Sequence, residues 1–342
     1  MSHAFESIAV AFSDALTSSD PHSARQLMGD GFHWHAAHPV NDLDTPDAFF
    51  SDYWDPITQA IPDIEVRPFV RVAGVYDGVA LDGDGSAGDW VCSTGYFVGT
   101  FKASLFDIPP THRPVFLRYS ELLRIESDKV AEGYIIPDFL DLMVQAGVCP
   151  LRASLGHPGP VMPPRTMDGL GRATSEDGES EASLDLVLAM LDGLGRFDGQ
   201  SLFTMDQEQF WTDNFLWFGP GGIGTSRGLD GFRALHQGPF LKGFPKRGVD
   251  RSKTLVADGP YVATGGWPHM TASHLGGGWL GLPPSGQELK MRVMDFWRRD
   301  GDRLDENWVS IDILHILDQM GLDLLRVMRQ QRGDHGSDLA DL

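Results

Sequence analysis

Apolar positions along the chain follow two rhythms, and the pair of rhythms occurs twice. Phe49, Phe50, Tyr53, Trp54, Ile57 and Ile61 recur at helical spacing and make one broad apolar face, with Pro46 near its start and Pro62 at its end. Runs rich in β-branched and aromatic residues follow at Glu65 to Val75, Trp90 to Thr100, Val115 to Ile125 and Val130 to Ile136. The last two read as a hairpin turning at Ser127-Asp128, matched later by Lys290 to Arg299 and Leu304 to Ile311 about Gly301-Asp302. A helix is expected to close each half, Asp138 to Gly147 and Asp312 to Arg329. Helices kept apart from a run of adjacent strands predict an α+β fold, a curved and mostly antiparallel sheet wrapped around helices.

The two halves are copies. Residues 109 to 147, set without a gap against the residues 174 positions later, share ten identities, among them Arg118/Arg292, Arg124/Arg298, Glu132/Glu306, Asp138/Asp312 and Gln145/Gln319. Chance would give roughly two or three, so the segment is duplicated. A second block, offset by 183, pairs Phe32/Phe215, Trp34/Trp217, Phe49/Phe232, Pro56/Pro239 and Pro62/Pro245. The change of offset is expected from an extra loop in the first half around Asp82, Gly83, Asp84, Gly85 and Gly88. Between the copies, Pro150 to Ser183 is rich in Pro, Gly and Ser and ends in an acidic polar stretch, so it reads as a linker. The organisation predicted is copy one at 1–150, linker at 151–182, copy two at 183–330 and a polar C-terminal tail at 331–342. A length of 342 residues suits two such cores.

Charge narrows the partners. Lys and Arg number 27 against 48 Asp and Glu, a net charge of −21, which repels phosphate backbones and anionic headgroups and argues against nucleic acid or membrane binding. No long apolar run predicts a membrane span, and the start of the chain does not read as a signal peptide. With only Cys92 and Cys149, neither a disulfide framework nor a cysteine zinc site is expected, and a cytoplasmic setting fits best.

Short motifs then fall in one order in both halves. Copy two carries Trp217, Gly219-Pro220, Phe244-Pro245, Ser273-His274, Gly281-Leu282-Pro283-Pro284-Ser285-Gly286, Asp300-Gly301-Asp302 and Glu306, Trp308 and Asp312. Copy one carries Trp34, Ile61-Pro62, Gly99-Thr100, Ile108-Pro109-Pro110-Thr111, Asp128-Lys129 and Glu132, Tyr134 and Asp138. This order resembles the SnoaL-like polyketide cyclase family, of the nuclear transport factor 2-like superfamily. Copy one departs from it at Phe101, Asp107 and His112. The resemblance implies two tandem cone-shaped α+β barrels of cystatin-like topology, acting without a cofactor on a small hydrophobic carbonyl compound. An aldol cyclisation, or a related lyase or isomerase step, would use an aspartate as acid and base, and the motif places that residue at Asp138 and Asp312. It also places a histidine at His274. Superfamily members commonly pair through their sheets, so an internal pseudo-dimer is expected, with a homodimer as a further option.

Each candidate has a plain structural alternative. Asp138 and Asp312 sit where a helix begins and suit N-caps. Arg118 and Arg292 lie roughly opposite them across the hairpin and would lower their pKa as ion-pair partners, although they could equally bind substrate. Trp217, Trp267, Trp279, Trp297 and Trp308 offer aromatic walls in copy two, as do Trp34 and Tyr134 in copy one, although core packing suits Trp34 and Trp217 better. His274 could donate to an oxyanion or simply line the barrel. His33, His35 and His38 share strand spacing but lack a carboxylate that completes a ligand set, so no metal is expected. Gly276-Gly277-Gly278 has no following Lys and reads as a strand bulge rather than a phosphate loop.

Overall fold

The computed structural model describes residues 4–79, 86–171, 178–248 and 252–333. Copy one builds a six-stranded sheet from β1 (Met28–Ala36), β2 (Asp42–Leu43), β3 (Glu65–Tyr76), β4 (Gly88–Thr100), β5 (Pro114–Glu126) and β6 (Lys129–Pro137), in the order β2-β1-β6-β5-β4-β3. Copy two repeats it with β7 (Trp211–Phe218), β8 (Ser226–Arg227), β9 (Lys246–Arg247), β10 (Thr254–Asp258), β11 (Tyr261–Ser273), β12 (Glu288–Asp300) and β13 (Arg303–Ile311). Its order is β10-β11-β12-β13-β7-β8, with β9 pairing β11. In both, the first long strand runs parallel to the last and every other pairing is antiparallel. These are two tandem cones of the α+β class.

The helix read from Phe49 to Ile61 forms, with a π turn over Phe49–Trp54 between α segments Pro46–Ala48 and Asp55–Ala60. Copy two repeats the device, with a π turn over Arg233–Gln237 before Gly238–Gly243. In each case a proline, Pro56 or Pro239, stands two residues past the π turn. Proline has no N–H to give the preceding turn, and a widened turn absorbs that loss.

The hairpins turn where expected. Ser127 and Asp128 both adopt positive φ (52° and 59°), the conformation a two-residue turn between twisted strands requires, and Gly301 does so in copy two (62°). Two expectations need correction. The second closing helix breaks into Ile313–Gln319 and Leu324–Arg332, because Gly321 at φ 83° ends the first. The triple glycine lies beyond the end of β11 and makes no bulge; the irregularity in the β11/β12 ladder falls between Gly266 and Met270. At Gly276 a side chain would meet the Lys242 carbonyl at 1.9 Å, so glycine there permits a close backbone crossing. The extra loop at Asp82 to Gly85 lies outside the described residues.

Alternation along the strands gives each sheet two buried faces. One faces its own helix and fills the cone: Phe12, Phe32, Phe49 and Tyr53 surround Trp34 in copy one. In copy two Trp217 stacks on His236 at 4.0 Å, beside Phe240, Phe244 and Trp279. The opposite faces meet each other. Ser120 and Ser310 hydroxyls touch at 2.8 Å across this contact, and Phe69 packs against Trp308. The stretch read as linker lies along both copies: Gly169 bonds Arg71, Met162 accepts from Trp308, and His157 bridges Thr225. The helix Glu179–Gly195 starts inside that stretch. Among the described residues, no helix is long and apolar enough to cross a membrane.

Candidate functional site

Asp138 and Asp312 occupy equivalent places at the contact between copies, and each does two jobs. Asp138 caps the helix Phe139–Gln145 by accepting the Asp141 N–H (2.9 Å), while its other oxygen accepts the Gly221 N–H of copy two (2.7 Å). Asp312 caps Ile313–Gln319 through the His315 N–H (3.1 Å) and accepts the His38 N–H of copy one (3.0 Å). Residues 38 and 221 are themselves partners at the 183 offset, so the two bonds are reciprocal across a pseudo-twofold axis.

The arginines break that symmetry. Arg292 binds the Asp312 carboxylate at 3.1 Å and also donates to Asn41 Oδ1 at 2.9 Å, with its guanidinium over the Trp267 ring at 4.3 Å. Among the described residues Arg118 has no such ion pair. It is buried and gives its two terminal nitrogens to the carbonyls of Gly219 (3.0 Å) and Phe218 (3.1 Å), and its Nε has no partner. Burial raises the pKa of both aspartates. Asp312 has a direct guanidinium to oppose that rise, whereas Asp138 has only the more distant charge of Arg118 and its two backbone donors.

A cavity of about 420 Å³ opens beside Asp138. Its walls come from copy one (Tyr96, Arg118, Val144), from the Gly219–Gly224 turn of copy two, and from Leu151 to Val161 laid across them. A second carboxylate, Asp141, lines it, three residues on along the same helix. Its pKa is raised by burial first and by the charge of Asp138 second. The ungapped comparison could not single out Asp141, because its counterpart is His315. The available signal was spacing: an N-cap and the residue three places on lie on the same side of a helix start. His315 is pushed down to about 4 by burial and by the Arg292 charge.

The other candidates divide between two regions. Tyr134, Trp267 and Trp308 lie at the contact between copies: Tyr134 stacks on His35 (4.4 Å) and meets Trp267 (5.7 Å), and Trp308 stacks on Phe218 (5.6 Å). Trp34, Trp217, Trp279 and His274 fill the cones. His274 Nδ1 lies 3.2 Å from both the Ser285 nitrogen and the Ser285 hydroxyl, its Nε2 is buried without a partner among the described residues, and burial lowers its pKa. No hydrogen bond joins His274 to Asp312 among the described residues. Trp297 is buried in β12. The aromatic walls expected around Asp312 are therefore split between the cone and the contact between copies. His33 and His35 bond Asp44 and Asp42, and His38 offers its backbone to Asp312. Inside cone one lies a further carboxyl that no motif marked, Glu121, raised by burial to about 7 beside the unpartnered Tyr53 hydroxyl and Trp34 indole nitrogen.

The sequence matches the SnoaL-like polyketide cyclase family over residues 6–146 and again over 204–320. No curated protein matches it. Among solved structures, a putative SnoaL-like polyketide cyclase from Jannaschia sp. CCS1 is similar at 19% identity, covering 43% of this chain and 97% of its own, with a TM-score of 0.36. IdmH, a putative polyketide cyclase from Streptomyces antibioticus, is similar at 21% identity, covering 42% of this chain and 99% of its own, with a TM-score of 0.32. TerC, co-crystallized with polyporic acid, is similar at 12% identity over 41% of this chain and 98% of its own, with a TM-score of 0.32. The chain belongs to the SnoaL-like polyketide cyclase family, of which it carries two tandem copies.

Proposed function

We propose that the cleft beside Asp138 is a cofactor-free acid/base site for a small carbonyl compound, and that copy two serves chiefly as its structural partner in an internal pseudo-dimer. The observation that carries this reading is the pairing of Asp138 and Asp141 on a cavity of about 420 Å³, with no ion-paired arginine on either among the described residues. Ligand pockets run from roughly 300 to 1,000 Å³, so the space suits a small molecule. Two carboxyls on one site tend to share a proton. Asp138, held by two N–H donors, is the better base for a C–H between two carbonyls. Asp141 is the better acid to return a proton to the oxygen on which negative charge develops. Tyr96, Val144, Leu151 and Val161 supply apolar wall, while Arg118 and Arg152 make the cleft more polar than the family resemblance implies. Two unpaired cysteines support a reducing, cytoplasmic setting.

Deuterium exchange at C2 of ethyl benzoylacetate tests this reading. The C–H bond breaks onto the carboxylate, and the exchanged carboxyl returns deuterium to the same carbon. The protein should accelerate exchange at least about 100-fold over buffer, the scale of a positioned general base. Asp138→Asn should abolish the gain and Asp312→Asn should keep it. Equal rates for both variants and the parent would overturn the proposal.

A second reading, a non-catalytic binder or scaffold, draws support from copy two, where Asp312 is neutralised by Arg292 and aromatic side chains fill the cone. Saturable binding of ethyl benzoylacetate without exchange would favour it.

A further inference from the structure

The turn that walls the cleft belongs to the copy that contributes no acid. At the 183 offset, Gly219, Gly221, Gly222 and Gly224 of copy two match Ala36, His38, Pro39 and Asn41 of copy one. Both turns reach across to the other copy's aspartate, but the copy-two turn carries glycine at four of its six positions, beside Pro220 and Ile223. A Cβ added at Gly221 would stand 2.6 Å from the Asp141 nitrogen and 2.8 Å from Asp138 Oδ1, and one at Gly222 would stand 2.8 Å from a Leu140 methyl. Real Cβ atoms do not approach so closely, so the turn would have to retreat from the carboxyl pair. On the reciprocal side, Asn41 holds a left-handed φ of 63° with its side chain on Arg292, where Gly224 (φ 83°) leaves none. The aspartates are thus equally placed, and the side chains of the opposing turn differ.

We infer that the two copies share a single site: copy one supplies the carboxyl pair, and the Gly219–Gly224 turn of copy two positions it and leaves the room for ligand. This rests on the cleft being the functional site, as proposed above. Gly221 is a positioning residue, acting through its N–H on Asp138. Duplication then has a use, since one turn could take glycine at 219, 221, 222 and 224 while the other kept Asn41 to hold Arg292 against Asp312.

The experiment uses the full chain. Gly221→Ala is compared with Gly231→Ala, whose added methyl meets nothing nearer than 4.0 Å. The readouts are affinity for ethyl benzoylacetate by calorimetry and the carboxyl carbon titrations of Asp138 and Asp141 by NMR. The expected result for Gly221→Ala is binding weakened about tenfold or more, as for loss of one charge-assisted hydrogen bond, and an upward shift of the Asp138 titration. Gly231→Ala should change neither. Unchanged affinity and unchanged titration in folded Gly221→Ala would overturn the inference. In the unaltered protein, the Gly221 amide proton shift should follow the Asp138 titration, and independence of the two would overturn it without any variant. A parent protein that ignores ethyl benzoylacetate removes the functional reading, while the titrations still decide whether Gly221 positions Asp138.

Discussion

Asp138 and Asp312 cap equivalent helices and each accept one N–H from the opposite copy, at 2.7 and 3.0 Å. Asp312 adds the Arg292 guanidinium, which is itself fixed by Asn41 and Trp267. Asp138 has a cavity and a second carboxyl instead, while Arg118 spends its donors on the Phe218 and Gly219 carbonyls of the opposite copy. Identical motif residues on one fold therefore meet different electrostatic surroundings, and part of the difference, Asn41 on one side and the Phe218 and Gly219 carbonyls on the other, comes from the opposite copy.

The largest test of this contrast is to remove each arginine. Arg292→Met leaves Asp312 buried without its counter-charge, and breaking such a pair should cost about 3–5 kcal/mol in urea unfolding. Arg118→Met loses two bonds to neutral carbonyls and regains the desolvation of a buried cation, so about 1–2 kcal/mol is expected. Equal costs would mean that the pairing does not distinguish the copies.

The residues at 141 and 315 sharpen the contrast through pH. Asp141 has a folded pKa above its unfolded value, so its contribution is favourable in acid and is lost as pH rises through the folded pKa. His315 has a folded pKa depressed to about 4, so its contribution is full above about 6.5 and is lost as pH falls toward 4. Asp141→Asn should therefore gain about 1–2 kcal/mol over the parent at pH 8 and His315→Gln a similar amount near pH 4, each gain vanishing at the opposite end. Melting curves across that range check both. Gains of the same sign at one pH would break the account.

The smallest effect is a sameness. Gln145 clamps the backbone of Phe116 from both sides, and Gln319 does the same to Lys290. Gln145→Ala and Gln319→Ala should each cost about 1 kcal/mol in the same unfolding assay. A large difference between them would show that the asymmetry extends beyond the acidic sites.

The fold was legible because periodicity and duplication are local in sequence: β3, β4, β5 and β6 end within a few residues of the runs read from alternation. The break at Gly321 was harder to place, since apolar spacing continues across it. At the site, the roles of Asp138 and Asp312 as caps were readable, and so was the Arg292 pairing. Their contact with the opposite copy was not, because a bond from Asp138 to Gly221 depends on how two sheets dock. Asp141 was hidden for a related reason: its environment comes from the cleft, and its counterpart in the other copy is a histidine. The glycines at 219 to 224 were visible as a motif, yet their meaning needed the aspartate they face.

The most direct test is backbone amide NMR of the whole chain titrated with ethyl benzoylacetate. The account predicts saturable shifts at Asp141, Gly221 and Gly222, and none at His38 or His315. Shifts confined to His38 and His315, or to cone residues such as Trp34 and His236, would contradict it.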